Sequence, residues 1–369
     1  MGRVFNTTGV CIPEKHYMVD INGRLQQIKV LVDGGKYFTI NRARQYGKTT
    51  TLRALAEMLQ DEYYVVLLDF QTFDNEKFSN GNVFSVAFAG SFLRVLRRNC
   101  KTMNNEMASV IDEMRKDADY ANRYFSLKEL FEGLSDICEA ADRKIVLMID
   151  EVDSAANNQV FIDFLAQLRA QYLDREFYPG FQSVILAGVY DIKNLKRKLR
   201  PEEGHRYNSP WNIAADFSIE MSFSESEIAG MLQEYESDHR TGMNISKMSE
   251  LLYAYTAGYP FLVSRICQLM DERVRDEYEN LKLVWTENGF NEAVRILLAE
   301  KNPLFESLVG KICDYPELSV MLKTLLFTGR NIAYNPDETS IDMAQMFGFI
   351  KNQNGNVVIA NRIFETRLY

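Results

Sequence analysis

Residues 36–59 constrain this chain more than any other stretch. Lys36-Tyr37-Phe38-Thr39-Ile40 has the composition of a strand, Asn41-Arg42-Ala43-Arg44-Gln45-Tyr46 breaks it, and Gly47-Lys48-Thr49-Thr50 leads into Leu52, Leu55, Met58 and Leu59 at helical spacing. A strand, a loop ending in Gly-Lys-[Ser/Thr] and a helix form the context of a phosphate-binding P-loop. Backbone N–H groups at a helix N-terminus point at an anion, and the helix dipole favours negative charge there. The expected contacts are Arg42, Ala43, Arg44, Gln45, Tyr46, Gly47, Lys48, Thr49 and Thr50, with Lys48 meeting the outer phosphates and the Thr49 hydroxyl holding Mg2+. The loop departs from G-x-x-x-x-G-K-[ST] because Arg42 stands where the first glycine belongs. A bare Gly-Lys-Thr in a chain with 20 glycines is weak by itself, so the rest of the sequence has to carry the assignment.

With 369 residues, 46% of them hydrophobic, the chain has enough apolar material for two or three globular domains. It has no apolar run of the roughly 18 residues that a membrane helix needs. The first residues lack the apolar stretch of a signal peptide, and Met1-Gly2 followed by Asn6 does not fit the myristoylation pattern. Cys11, Cys100, Cys138, Cys267 and Cys313 are scattered without C-x-x-C spacing, and His16, His205 and His239 form no ligand pair. Neither a zinc site nor a disulfide framework is expected, and a reducing cytoplasmic location, with no membrane contact, is the simplest setting. The net charge of −9 argues against bulk attraction to nucleic acid, leaving only a local basic patch for that purpose.

Further along, Val4 to Asp33 reads as an extended N-terminal arm, with Pro13 after Ile12; it is either a packing strap or a segment lying near a bound base. Tyr64–Asp69 is an apolar run of strand length, and helical patterns cover 83–97 and 127–141. Ile145-Val146-Leu147-Met148-Ile149 then ends in Asp150 and Glu151. Such a run suits a parallel strand buried on both faces, and ligands of open α/β sheets bind beyond the carboxyl ends of the strands. Asp150 is expected to anchor Mg2+ and Glu151 to polarise the water that attacks a γ-phosphate. A strand with a merely solvated end also explains these acids, but their position downstream of the loop favours the chemical role.

Strands are also expected at 183–191 and 217–221, alternating with helices as in a parallel sheet. Between them, Lys193, Lys196, Arg197, Lys198, Arg200, His205 and Arg206 form a basic stretch. It is a solvated helix face, the source of an arginine reaching the γ-phosphate within or across chains, or a polyanion contact. From Ser222 the pattern is helical, broken at Gly258-Tyr259-Pro260. Helices at 318–328 and 340–347, stopped by Gly329 and Gly348, precede a hairpin signal around Asn352-Gln353-Asn354-Gly355-Asn356. Helices followed by a hairpin describe a winged helix. Its second helix carries no lysine or arginine, which favours protein contact or self-association over DNA.

The Arg42-Ala43-Arg44-Gln45-Tyr46-Gly47-Lys48-Thr49 loop, Ile145–Glu151, Gly188-Val189-Tyr190-Asp191 and Ser209-Pro210-Trp211-Asn212-Ile213 resemble the prokaryotic AAA-ATPase-like family. That family lies within the P-loop ATPases that insert a strand between the P-loop strand and the acidic strand. The resemblance accounts for Arg42 as a family form of the loop. Gly258-Tyr259-Pro260 is similar to the Gly-x-Pro element of STAND and origin-recognition ATPases, which implies that Tyr259 and Pro260, with Ile12 and Pro13 of the arm, contact the base.

The expected fold is an α/β P-loop NTPase with a parallel sheet and helices on both faces, followed by a helical lid and a winged helix. The expected boundaries are 1–35 (arm), 36–222 (ATPase core), 223–300 (lid) and 301–369 (winged helix). The expected function is Mg-dependent ATP binding and slow hydrolysis that rearranges lid and wing, with ATP and Mg2+ as cofactors. The alternative is a nucleotide-gated interaction or DNA-binding module with little turnover, and no motif separates ATP from GTP.

Overall fold

The computed structural model describes residues 2–100, 103–189, 211–277 and 281–369. Tyr190, Asp191, the basic stretch from Lys193 to Arg206, and Ser209-Pro210 lie outside them. The chain divides into two compact units. One comprises Gly23–Asn41 and Thr51–Ile219; the other comprises Met1–Asn22, Arg42–Thr50 and Glu220–Tyr369.

The elements run β1 (Val4–Phe5), β2 (His16–Tyr17), α1 (Asn22–Asp33), β3 (Phe38–Asn41), α2 (Lys48–Leu59), β4 (Tyr64–Asp69), α3 (Gly81–Asn99), α4 (Asn105–Asp117) and α5 (Leu127–Ala140). Then come β5 (Ile145–Asp150), α6 (Gln159–Leu173) and β6 (Ser183–Gly188). They are followed by α7 (Glu225–His239), α8 (Ile245–Thr256), α9 (Pro260–Leu269), α10 (Glu287–Ala299), α11 (Pro303–Asp314) and α12 (Pro316–Thr328). The last elements are α13 (Thr339–Met346), β7 (Ile350–Gln353), β8 (Asn356–Ile359) and α14 (Arg362–Leu368).

The first unit is built on a parallel sheet of order β3-β6-β5-β4. Pairings Thr39 with Leu186, Leu186 with Ile149 and Ile149 with Leu68 run level across all four strands, so their carboxyl ends finish together. Every residue of β5 and β6 is buried, which explains their unbroken apolar runs. Helices cover the sheet through a core that includes Phe70, Phe84, Phe88, Phe92, Phe161 and Phe164, each fully buried. Burying each such ring stabilises the fold by about 1.5–3 kcal/mol.

Two expectations needed correction, and one helix had not been expected. The N-terminal stretch is not extended throughout, because Leu25, Ile28 and Val32 share one buried helical face and 22–33 forms α1. Helix α4 lies between the two expected helices; Asn104 caps it by accepting the Met107 N–H at 2.7 Å, and Met107, Ile111 and Met114 bury its apolar face. The strand expected at 217–221 does not form. Ala215 makes a single parallel bridge to Phe38, donating to the Tyr37 carbonyl at 2.8 Å, while Phe217 stacks on the Phe38 ring. Side-chain packing, without a hydrogen-bonded ladder, accounts for the apolar alternation there.

In the second unit, Ser224 and Glu227 form a capping box at the start of α7. The arm is fastened here: β1 and β2 pair in parallel, Phe5 and Tyr17 pack with Tyr235, and Arg3 forms ion pairs with Glu234 and Asp238. Helices α12 and α13 end at Gly329 and at the Phe347-Gly348 turn, and β7 and β8 pair antiparallel, as the turn residues predict. Among the described residues no helix is long and apolar enough to cross a membrane. All five cysteines are free thiols, and no group of three or more His, Cys, Asp and Glu among the described residues is arranged to hold a metal.

Candidate functional site

Strand β3 runs directly into the loop Arg42–Gly47 and then into α2, which starts at Lys48. The loop's positive φ values fall on Gln45 (56°) and Gly47 (79°). Arg42, at the position of the missing glycine, is not among the positive-φ residues, so the loop avoids the strain that a substituted glycine position would impose. Lys48 is 6% exposed, and its ammonium donates to the carbonyls of Arg42 (2.9 Å) and Ala43 (3.1 Å). The loop thus curls around its own lysine.

Neighbours within the same unit hold this loop. The Tyr259 hydroxyl donates to the Arg44 carbonyl, and Tyr46 meets the Tyr259 ring edge-on at 4.6 Å while sharing a hydrogen bond with Ser222 (2.7 Å). Cys11 donates its backbone N–H to the Thr50 hydroxyl at 3.2 Å, which brings the arm residues next to Ile12 and Pro13 to the first turn of α2. Ile12 and Pro13 themselves are exposed. Tyr259 (2% exposed) and Pro260, the first residue of α9, are both buried. Desolvation works against ionised Glu220, yet the N–H groups of Ser222 and Met221 (both 2.8 Å) and the Arg42 guanidinium hold its carboxyl below the ordinary range. Glu220 is thus one counter-charge of Arg42.

In the sheet unit Asp150, 4% exposed, ends β5 and accepts the Glu151 N–H at 2.9 Å. Glu151 is left-handed (φ 52°, ψ 40°), a conformation that costs a non-glycine residue about 1–2 kcal/mol. Its surroundings hold it there. Ser154 donates to the carbonyls of Glu151 (2.9 Å) and Phe70 (3.0 Å), tying this turn to the end of β4. Asp153 accepts the Val189 N–H at 2.6 Å, tying it to the end of β6. Sequence reasoning took Asp153, with Asp69, as a carboxylate against which Arg42 or Arg44 could brace, and it gave Ser154, Cys11 and Ser222 no role at the site; their contacts with Phe70, Thr50 and Tyr46 join positions that only folding brings near. The Asp153 contact is charge-assisted, so Asp153→Ala is expected to destabilise the protein by about 1.5–3 kcal/mol in a denaturant titration, with Asp153→Asn keeping part of that. An unchanged midpoint in Asp153→Ala would show that the contact contributes nothing.

The loop suits the phosphates of a nucleotide. The first turn of α2 carries no acid, and an ideal Cβ at Gly47 meets no atom within 4 Å, so this side of the loop is open to an anion. A parallel sheet with β6 inserted between β3 and β5, a Gly-Lys-Thr loop after β3 and two acids at the end of β5 defines a P-loop NTPase of the additional-strand class.

Residues 13–368 match the model of the AAA-like domain, and the chain belongs to that family. At the level of the family it is a nucleotide-binding P-loop ATPase. Among solved structures, the Walker-type ATPase PABY2304 of Pyrococcus abyssi is similar in fold, with TM-score 0.63 and 14% identity over 99% of each chain. Cdc6p from Pyrobaculum aerophilum has TM-score 0.44 and 14% identity over 99% of this chain and 96% of its own. The ORC2 protein of Aeropyrum pernix in its ADP form has TM-score 0.46 and 11% identity over 99% and 97%. Comparison with curated proteins returned no match.

Proposed function

We propose that the protein binds ATP with Mg2+ and hydrolyses it slowly, using the exchange to rearrange a helical lid (223–300) and a winged helix (301–369) that follow an arm (1–35) and an ATPase core (36–222). The observation that carries this is the order of the chain on one parallel sheet: Gly47-Lys48-Thr49 follows β3 in sequence, and Asp150-Glu151 closes β5. Backbone N–H groups of Ala43–Thr50 and the Lys48 ammonium bind the phosphates, and Lys48 neutralises charge that builds on them during transfer. Thr49 and Asp150 are the residues that would hold the metal, which would supply neutralisation of the phosphate charge. Glu151 takes the proton of the attacking water as its oxygen bonds to the γ-phosphorus and the bond to the ADP oxygen breaks. Ile12, Pro13, Tyr259 and Pro260 serve the base end, and the same arrangement admits GTP.

Tight binding with little turnover is the second reading; it is favoured by the left-handed backbone of Glu151, whose carbonyl Ser154 holds. Helix α13 carries one acid and no base in Thr339–Met346, which supports a protein partner or self-association through the C-terminal module over DNA. Phosphate release from ATP by the whole chain is expected to fall to background when EDTA removes Mg2+ and to return when Mg2+ is restored. Release that is indifferent to EDTA would overturn the metal assignment, and no release with ATP still bound would select the second reading.

A further inference from the structure

We propose that the Phe347-Gly348 turn of the C-terminal module is a positioning element of the phosphate loop, so that the seating of this module sets nucleotide affinity. The inference rests on reading the loop as the nucleotide site. Gly348 has φ 80°, and an ideal Cβ there stands 2.8 Å from the Ala43 Cβ and 3.8 Å from the Tyr259 ring, so only glycine fits. Ala43 is 5% exposed, and its carbonyl is one of the two that hold Lys48. The next residue, Arg44, has its carbonyl held by Tyr259, whose ring meets Phe364 of α14 edge-on at 5.3 Å. Two consecutive loop residues are therefore backed by the C-terminal part of the chain.

The turn has little room to retreat. The N–H groups of Phe347, Gly348 and Phe349 donate to Met343 (3.0 Å), Gln345 (2.9 Å) and Ala344 (2.8 Å), and Phe347 packs on Tyr315 at 5.6 Å. Displacement of Ala43 shifts both a lysine-holding carbonyl and the backbone that presents N–H groups to phosphate. By linkage, a ligand that needs one loop geometry and a module that imposes it favour each other equally.

The test measures ATP affinity of the whole chain by calorimetry with Mg2+, alongside thermal unfolding, for wild type, Gly348→Ala, Gly355→Ala, Ala43→Gly and the Gly348→Ala/Ala43→Gly pair. Gly355 has the same φ of 80° but nothing within 4 Å of its ideal Cβ, so it reports backbone strain alone. Gly348→Ala is expected to weaken ATP binding at least 10-fold and Gly355→Ala less than 2-fold, while the double variant returns to within about 3-fold of Ala43→Gly. Tyr259→Phe removes a single hydroxyl and is expected to weaken binding about 3- to 10-fold, which keeps the test usable if Gly348→Ala does not fold. Normal affinity in Gly348→Ala or Tyr259→Phe, equal losses in the two glycine variants, or no recovery in the double variant would each overturn the proposal. Wild type that binds no ATP overturns the nucleotide reading together with it, whereas wild type that binds alongside an unaffected Gly348→Ala overturns this proposal alone.

Discussion

Lys48→Ala is expected to weaken ATP binding on the order of 100-fold, equivalent to about 2.8 kcal/mol. The ammonium is nearly buried and oriented by two loop carbonyls, so it loses little freedom when phosphate arrives. A hydrogen bond to a charged partner contributes about 1.5–3 kcal/mol, and alanine removes both the donor and the charge. Lys48→Arg is not a conservative control, since a planar guanidinium does not reproduce a compact ammonium inside a tight loop. The measurement is calorimetric titration of ATP with Mg2+, accompanied by thermal unfolding to separate loss of affinity from loss of fold. Equal affinity in wild type and Lys48→Ala would refute the phosphate assignment of the loop.

Glu151→Gln is expected to reduce the rate of phosphate release by about 10²–10⁴-fold while ATP affinity stays within a few-fold of wild type. Glutamine keeps the size of the side chain and meets the same cost in the left-handed conformation, so the exchange isolates the carboxylate's ability to take a proton. The contrast with Lys48→Ala is diagnostic: one variant loses binding, the other loses turnover. Wild type that releases phosphate no faster than Glu151→Gln, with binding still dependent on Lys48, would identify a nucleotide-gated module without useful catalysis.

Much of the sheet was legible because parallel strands buried on both faces are apolar along their length, and residues 65–68, 145–149 and 184–188 are. Glycines also marked boundaries correctly at Gly329 and Gly348, where the chain leaves a helix with a positive φ that glycine adopts at least cost. Helix α1 was missed because its polar residues alternate with apolar ones closely enough to imitate an extended arm, until the buried trio Leu25, Ile28 and Val32 shows the helical period. The strand expected at 217–221 failed for the opposite reason, since alternation without a neighbouring ladder yields only the Ala215 bridge.

By itself the sequence determined the loop, the acidic strand and their order, because phosphate and metal chemistry demand particular residue types at short spacing along one chain. Tertiary structure alone decided which groups brace them: Tyr259 on the Arg44 carbonyl, Gly348 against Ala43, Asp153 on the Val189 N–H, and Glu220 near Arg42. Two of these are bonds to the backbone, which every residue offers, and all four join positions 36 to 305 residues apart. No pattern in the one-dimensional chain records such a pairing until the fold brings the two positions together.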